Sequence, residues 1–113
     1  MAAFLNPGST LKVAYARIDQ GLVAVDTAVS NKNIGVVTNG STGVYGVFFA
    51  SGLFTLPPVV TITLENAPLS GGTNPNNVFL DQSGNTTVRC IVSIANDAGT
   101  GQSGSFYIFA IGV

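Results

Sequence analysis

Eight short runs rich in valine, isoleucine, threonine and aromatic residues, separated by clusters of glycine, asparagine, serine or proline, punctuate this chain from residue 11 to its end. That punctuation constrains the fold more than any other feature, because no segment sustains a helical period and the breaks come at the spacing of strands and turns. The runs are residues 11–18, 22–29, 33–37, 43–50, 59–64, 77–81, 86–95 and 105–113. They predict an all-β chain, a compact antiparallel β-sandwich that is oligomeric. Residues 1–113 read as one domain, with about 1–10 as an extended N-terminal arm.

Side-chain alternation assigns faces within these runs. Val60, Ile62 and Leu64 share one side against Thr61 and Thr63, and Val88, Cys90, Val92 and Ile94 share a side expected to be core. Two runs are apolar on both sides. Tyr45, Val47 and Phe49 oppose Val44 and Phe48, while Phe106, Ile108 and Ala110 oppose Tyr107, Phe109 and Ile111. Strands of that kind are buried on both faces, and a subunit interface would bury them. Asn39-Gly40, Gly71-Gly72 and Ser83-Gly84-Asn85 supply residues suited to tight reversals. Segments 65–77 and 96–104 are expected to be surface loops.

Charge strengthens the oligomer expectation. Only 8% of residues are charged, where an ordinary soluble domain carries about 25%, so apolar surface is expected to meet other subunits. A monomer coated in Ser, Thr, Asn and Gly is the simpler alternative. Four basic and five acidic residues lie scattered without runs, which argues against nucleic-acid binding and against an anionic membrane surface. The apolar stretch 43–60 is broken by Ser51, Thr55 and Pro57-Pro58, and reads as strands and a turn, with no membrane insertion. No basic start followed by an apolar core marks a secretory leader.

Catalysis is not expected. The chain has no histidine and one cysteine, so it lacks the common metal ligands and the usual base for a Ser or Cys nucleophile; no metal and no cofactor are implied. Cys90 reads as a small buried hydrophobe. Asp81 and Asp97 remain a formal carboxylate pair for glycoside hydrolysis, or calcium ligands with loop carbonyls, but solvated loop acids explain them as well. A surface rich in Asn, Ser, Thr, Gly and Gln with a few tyrosines suits sugar hydroxyls and apolar sugar faces. Lys32, Asp81, Arg89, Asn96 and Asp97 are the candidate ligand-binding positions. Tyr45, Phe49, Tyr107, Phe109 and Ile111 are the candidate oligomer interface.

The stretch Thr42-Gly43-Val44-Tyr45-Gly46-Val47-Phe48-Phe49, followed by Phe54 and Pro57-Pro58-Val59-Val60-Thr61-Ile62-Thr63, resembles phage tail-fibre head domains and H-type lectins. The close, Gly104-Ser105-Phe106-Tyr107-Ile108-Phe109-Ala110-Ile111-Gly112, is similar to the ending of the same domains, and the matches fall within residues 33–113. The resemblance implies a homotrimer, sometimes paired into a hexamer, whose loops bind cell-surface glycan, on a virion surface or outside the cell. The chain departs from the lectin pattern in lacking tryptophan. It also resembles, less closely, the trimeric jelly-roll heads of complement-like proteins. A structural role, as a virion decoration or fibre-capping protein whose apolar strands serve assembly, is the expectation from a different class.

Overall fold

In the computed structural model, which describes residues 10–65 and 77–113, short extended runs pair into two four-stranded antiparallel sheets. The strands are β1 (Lys12–Asp19), β2 (Ala24–Val25), β3 (Ile34–Ser41), β4 (Val44–Phe49), β5 (Val59–Leu64), β6 (Asn77–Asp81), β7 (Arg89–Ala95) and β8 (Phe106–Gly112). Sheet I has the order β2-β1-β8-β5 and sheet II the order β3-β4-β7-β6. A single 3-10 turn, Gln82–Gly84, links β6 to β7, and no α-helix occurs among the described residues. The N-terminal arm, the Gly71-Gly72 turn and most of the 65–77 loop lie outside the described residues.

Alternation decides which side of each strand is covered. In sheet I the register places Ala14 opposite Ala110, Ala16 opposite Ile108 and Ile18 opposite Phe106. Val60, Ile62 and Leu64 extend the same three rows from β5. Tyr45, Val47 and Phe49 of β4 and Cys90, Val92 and Ile94 of β7 form the facing layer. The three alanines leave space that the large side chains of sheet II fill. Tyr45 meets Phe106 edge-on with ring centroids 5.4 Å apart, and Phe49 meets Phe54 in the same way at 5.1 Å. Each such pair contributes about 0.5–1.5 kcal/mol beyond its buried area. Cys90 sits fully inside, and burial pushes its thiol up to about 12, which leaves it protonated and unreactive at neutral pH.

Three connections stay within a sheet, β1–β2, β3–β4 and β6–β7; the others cross between sheets. The crossing into β3 turns on Asn33. Lys32 exchanges two backbone hydrogen bonds with Tyr15 of sheet I, at 2.8 and 2.9 Å, and the next carbonyl, of Asn33, accepts from Ala50 N beside sheet II at 2.8 Å. Asn33 adopts φ +59°, a left-handed conformation that asparagine tolerates, and its Nδ2 donates to Val13 O at 2.9 Å. In the β1–β2 turn Val23 holds φ +50° while packing against the core, strain that a branched residue rarely carries.

Several boundaries differ from those expected. Asn39-Gly40 does not turn the chain: β3 runs on to Ser41 and the reversal falls at Thr42-Gly43, because Val37 must pair with Val47 to keep its side chain over the core. The expected strand 22–29 shrinks to two residues: Asp26 N still donates to Arg17 O at 2.8 Å, but the chain then turns, with Ala28 N donating to Asp26 Oδ1 at 2.9 Å and Val29 N to Asp26 O at 3.3 Å. Val88 is exposed, not core, and β7 starts at Arg89.

Candidate functional site

The outer face of sheet I is built from residues that β1, β8 and β5 turn away from the core. Register lays them out in rows: Val13, Ile111 and Val59; then Tyr15, Phe109 and Thr61; then Arg17, Tyr107 and Thr63. Val59 is 68% exposed, Tyr107 43% and Phe109 42%. Tyr15 stacks on Phe109 with ring centroids 6.4 Å apart and planes 17° from parallel. A groove of about 380 Å³ runs along these rings, bordered by Arg17, Val29 and Ser30.

The polar end of the face gathers four of the chain's nine charged residues. Arg17 reaches across β8 to Glu65, with Nε to Oε2 at 2.7 Å and Nη2 to Oε1 at 2.9 Å. Its Nη1 also donates to Asp26 Oδ2 at 2.9 Å and lies 3.6 Å from Asp19 Oδ2. The fork geometry of the guanidinium fits a planar carboxylate. The Arg17 side chain lowers the Glu65 carboxyl below its ordinary 4.5, and the Tyr107 hydroxyl adds to that. Asp19 falls below 3.8 chiefly because its Oδ1 accepts from the backbone N–H groups of Gly21 and Leu22, with Arg17 helping. Glu65 and Asp26 hold Arg17 protonated by raising its pKa.

These shifts set an acid dependence. A carboxylate whose folded pKa is lowered stabilises the fold above its unfolded value and loses that contribution as pH falls through the folded value. The melting temperature is therefore expected to fall from about pH 5 towards pH 3. In Arg17→Gln the midpoint should be lower at pH 7 and its fall on acidification shallower. Thermal melts across that range check this, and parallel profiles for the two proteins would refute it.

The sequence-predicted positions fall in different places. Asp81 and Arg89 both face outward from sheet II. Asp81 Oδ1 accepts from Ser83 Oγ at 2.7 Å and Ser83 N at 3.0 Å, which hold its carboxyl below the ordinary range, with a smaller contribution from Arg89. The Arg89 guanidinium lies 5.9 Å from the centre of the Phe48 ring. Lys32 is exposed at the crossing into β3. Asn96 is buried: its Oδ1 accepts from Ala98 N and Thr100 N, both at 3.0 Å, so its side chain shapes the loop before β8. Asp97 is exposed in that same loop. Of the interface candidates, Tyr45 and Phe49 lie inside the chain's own core, while Tyr107, Phe109 and Ile111 stand on the outer side of sheet I. Sequence reasoning missed Tyr15, Arg17, Asp26, Val59 and Glu65. Only the alternation of Ala14, Ala16 and Ile18 inward signalled that Tyr15 and Arg17 face out.

Among the described residues no group of three or more His, Cys, Asp or Glu side chains is placed to hold a metal ion, and no helix is long and apolar enough to cross a membrane. Fold and surface together define an all-β, two-sheet protein with an exposed aromatic face. In comparisons with known proteins the chain matches no family model, no curated protein and no solved structure.

Proposed function

We propose that this protein is a non-catalytic receptor-binding or adhesin module: a homo-oligomeric head, trimeric as its motifs suggest, that recognises cell-surface carbohydrate on a virion or outside the cell. The observation that carries the reading is the outer face of sheet I, where Val13, Ile111, Val59, Tyr15 and Phe109 adjoin with no charge until Arg17. Exposed apolar surface of this kind, on a chain with so few charges, favours self-association. Holding several weak sugar sites on one rigid head raises avidity ~100-fold or more with no new contact. The same face would equally serve a structural decoration or capping protein. A glycan array separates the two: reproducible hits favour the adhesin, and silence with firm docking to a virion or fibre component favours the structural role.

Light-scattering mass after size exclusion tests the assembly. The wild-type protein is expected at three or six times 11.5 kDa. Phe109→Asp should be folded and monomeric, because Phe109 points away from the core and a carboxylate buried without a partner at an interface costs several kcal/mol. A monomeric wild type would overturn the oligomer, and an intact oligomer in Phe109→Asp would move the interface elsewhere.

A further inference from the structure

Among the described residues the edge strands are β2 and β5 in sheet I and β3 and β6 in sheet II. An edge offers a row of backbone donors and acceptors to any other strand, and folded proteins blunt such edges by shortness, bulges, charge or proline. Three of these edges are blunted: β2 is two residues long, β3 shifts register twice along its length, and β6 ends in Asp81. β5 is different. Its sequence, Val-Val-Thr-Ile-Thr-Leu, holds no charge, glycine or proline, and it pairs with β8 from Val59 to Leu64 without a bulge. Among the described residues no strand lies along its far side.

The phase of the ladder fixes which groups point there. Glu65 N donates to Ser105 O at 2.9 Å, so with a period of two Thr63, Thr61 and Val59 turn their N–H and C=O groups to β8, and Leu64, Ile62 and Val60 turn theirs to the open side. The carbonyl of Pro58, next in that series, already accepts from Asn85 Nδ2 at 3.2 Å. The open row therefore runs from Val60 to Leu64, and it is complementary to itself. An antiparallel copy placed with Ile62 opposite Ile62 sets Val60 opposite Leu64 at both ends, so that every N–H and C=O of the row meets its counterpart. The same register continues the inner face of the sandwich across the join, apolar against apolar, and sets Thr61 opposite Thr63 on the outer face. A slip by two towards the start of β5 would call on Pro58, which has no N–H.

We propose that the open edge of β5 is a two-fold contact with β5 of a second copy, joining two sheets I into one continuous sheet and pairing two trimeric heads into a six-chain assembly. The proposal rests on the homo-oligomer reading and specifies how copies meet beyond the trimer. The two contacts do not compete, because the edge groups lie in the plane of the sheet while Tyr107 and Phe109 stand out of it. A self-complementary patch of this kind closes on a two-fold axis. A single edge this short is a weak contact once the entropy of association is counted, whereas three edges on one head act together. The monomer left by Phe109→Asp is for that reason not expected to pair through β5.

Light-scattering mass tests the contact with Ile62→Pro and Ile62→Ala. Both variants cut back the same side chain, but only proline removes the N–H on the open side, a loss that an edge strand tolerates. The wild type and Ile62→Ala are expected at six times 11.5 kDa and Ile62→Pro at three times, with an unchanged circular-dichroism spectrum showing that it is folded. Hydrogen exchange of the wild type needs no variant: the amides of Val60, Ile62 and Leu64 should be as protected as those of Thr61 and Thr63 in the assembly, and should lose that protection on dilution to the trimer. A trimeric wild type, six chains in folded Ile62→Pro, the same loss in Ile62→Ala, or fast exchange at the open row in the assembly overturns the edge contact and leaves the trimer standing. A two-chain wild type that becomes monomeric in Ile62→Pro upholds the edge and removes the trimer. A monomeric wild type overturns both.

Discussion

Phe106→Ala is expected to lower the unfolding free energy by about 3–5 kcal/mol, the range for removing a fully buried aromatic side chain. Phe106 is at zero exposure, pairs with Ile18 on one side and Leu64 on the other, and meets Tyr45 edge-on. Truncation removes that ring pair and leaves a cavity at the layer where the two sheets touch, and close-packed neighbours collapse into it only in part. Phe109→Ala, three residues on and on the opposite face, should cost about 1 kcal/mol or less in the isolated chain, because much of its ring is already in solvent. Denaturant melts of both variants, made at low protein concentration, give the comparison. Equal losses would mean that β8 is covered on both faces within one chain, contrary to the register described.

Gly43→Ala is expected to destabilise the fold by more than about 3 kcal/mol, through backbone strain and steric conflict acting together. Gly43 turns the β3–β4 hairpin at φ +79°, where any Cβ is strained. The hairpin tip is also pressed onto the backbone that leads from β7 to β8. Ile94 N donates to Gly43 O at 2.7 Å, and Gln102 N donates to Ile94 O at 3.0 Å. A Cβ at Gly43 would strike Ile94 O and lie 2.8 Å from Gln102 N and O, all backbone atoms that cannot swing aside. Gly101 meets the same constraint from the other side, its own Cβ position colliding with Thr42 O. Gly52→Ala provides the control: its φ is +73° but nothing stands within 4 Å of the added atom, so only the conformational cost, about 1 kcal/mol, should appear. If both variants lose the same stability, the contact between the hairpin tip and the 94–102 segment adds nothing to the cost of a Cβ at Gly43.

Sequence reasoning was surest where the physics is local. Side chains on a strand alternate with a period of two whatever the strand pairs with, so Val60, Ile62 and Leu64, then Cys90, Val92 and Ile94, then Phe106, Ile108 and Ala110, could be assigned to common faces before any pairing was known. The same argument marked Tyr107 and Phe109 as a second apolar face. Turn chemistry was less decisive: Asn39-Gly40 suits a reversal, but keeping Val37 over the core carried β3 past it to Thr42-Gly43. Alternation likewise put Val88 with the core, and the chain bends before Arg89, leaving it in solvent.

The sequence by itself thus determined the all-β class and the side of each strand on which most residues stand, because both follow from composition and from short-range geometry. Tertiary structure alone decided which faces meet. Tyr45 and Phe49 became core because sheet I lies over them, while Phe109 and Tyr107 stayed outside because none of the described residues forms a layer over β8 on that side. Arg17 and Glu65, 48 positions apart, form a bidentate pair only because β8 seats itself between β1 and β5. Phe48 and Arg89 share a face only through the β4–β7 ladder. Contacts of that range depend on strand order and register, which are set by how the whole core packs and are written in no single segment of the chain.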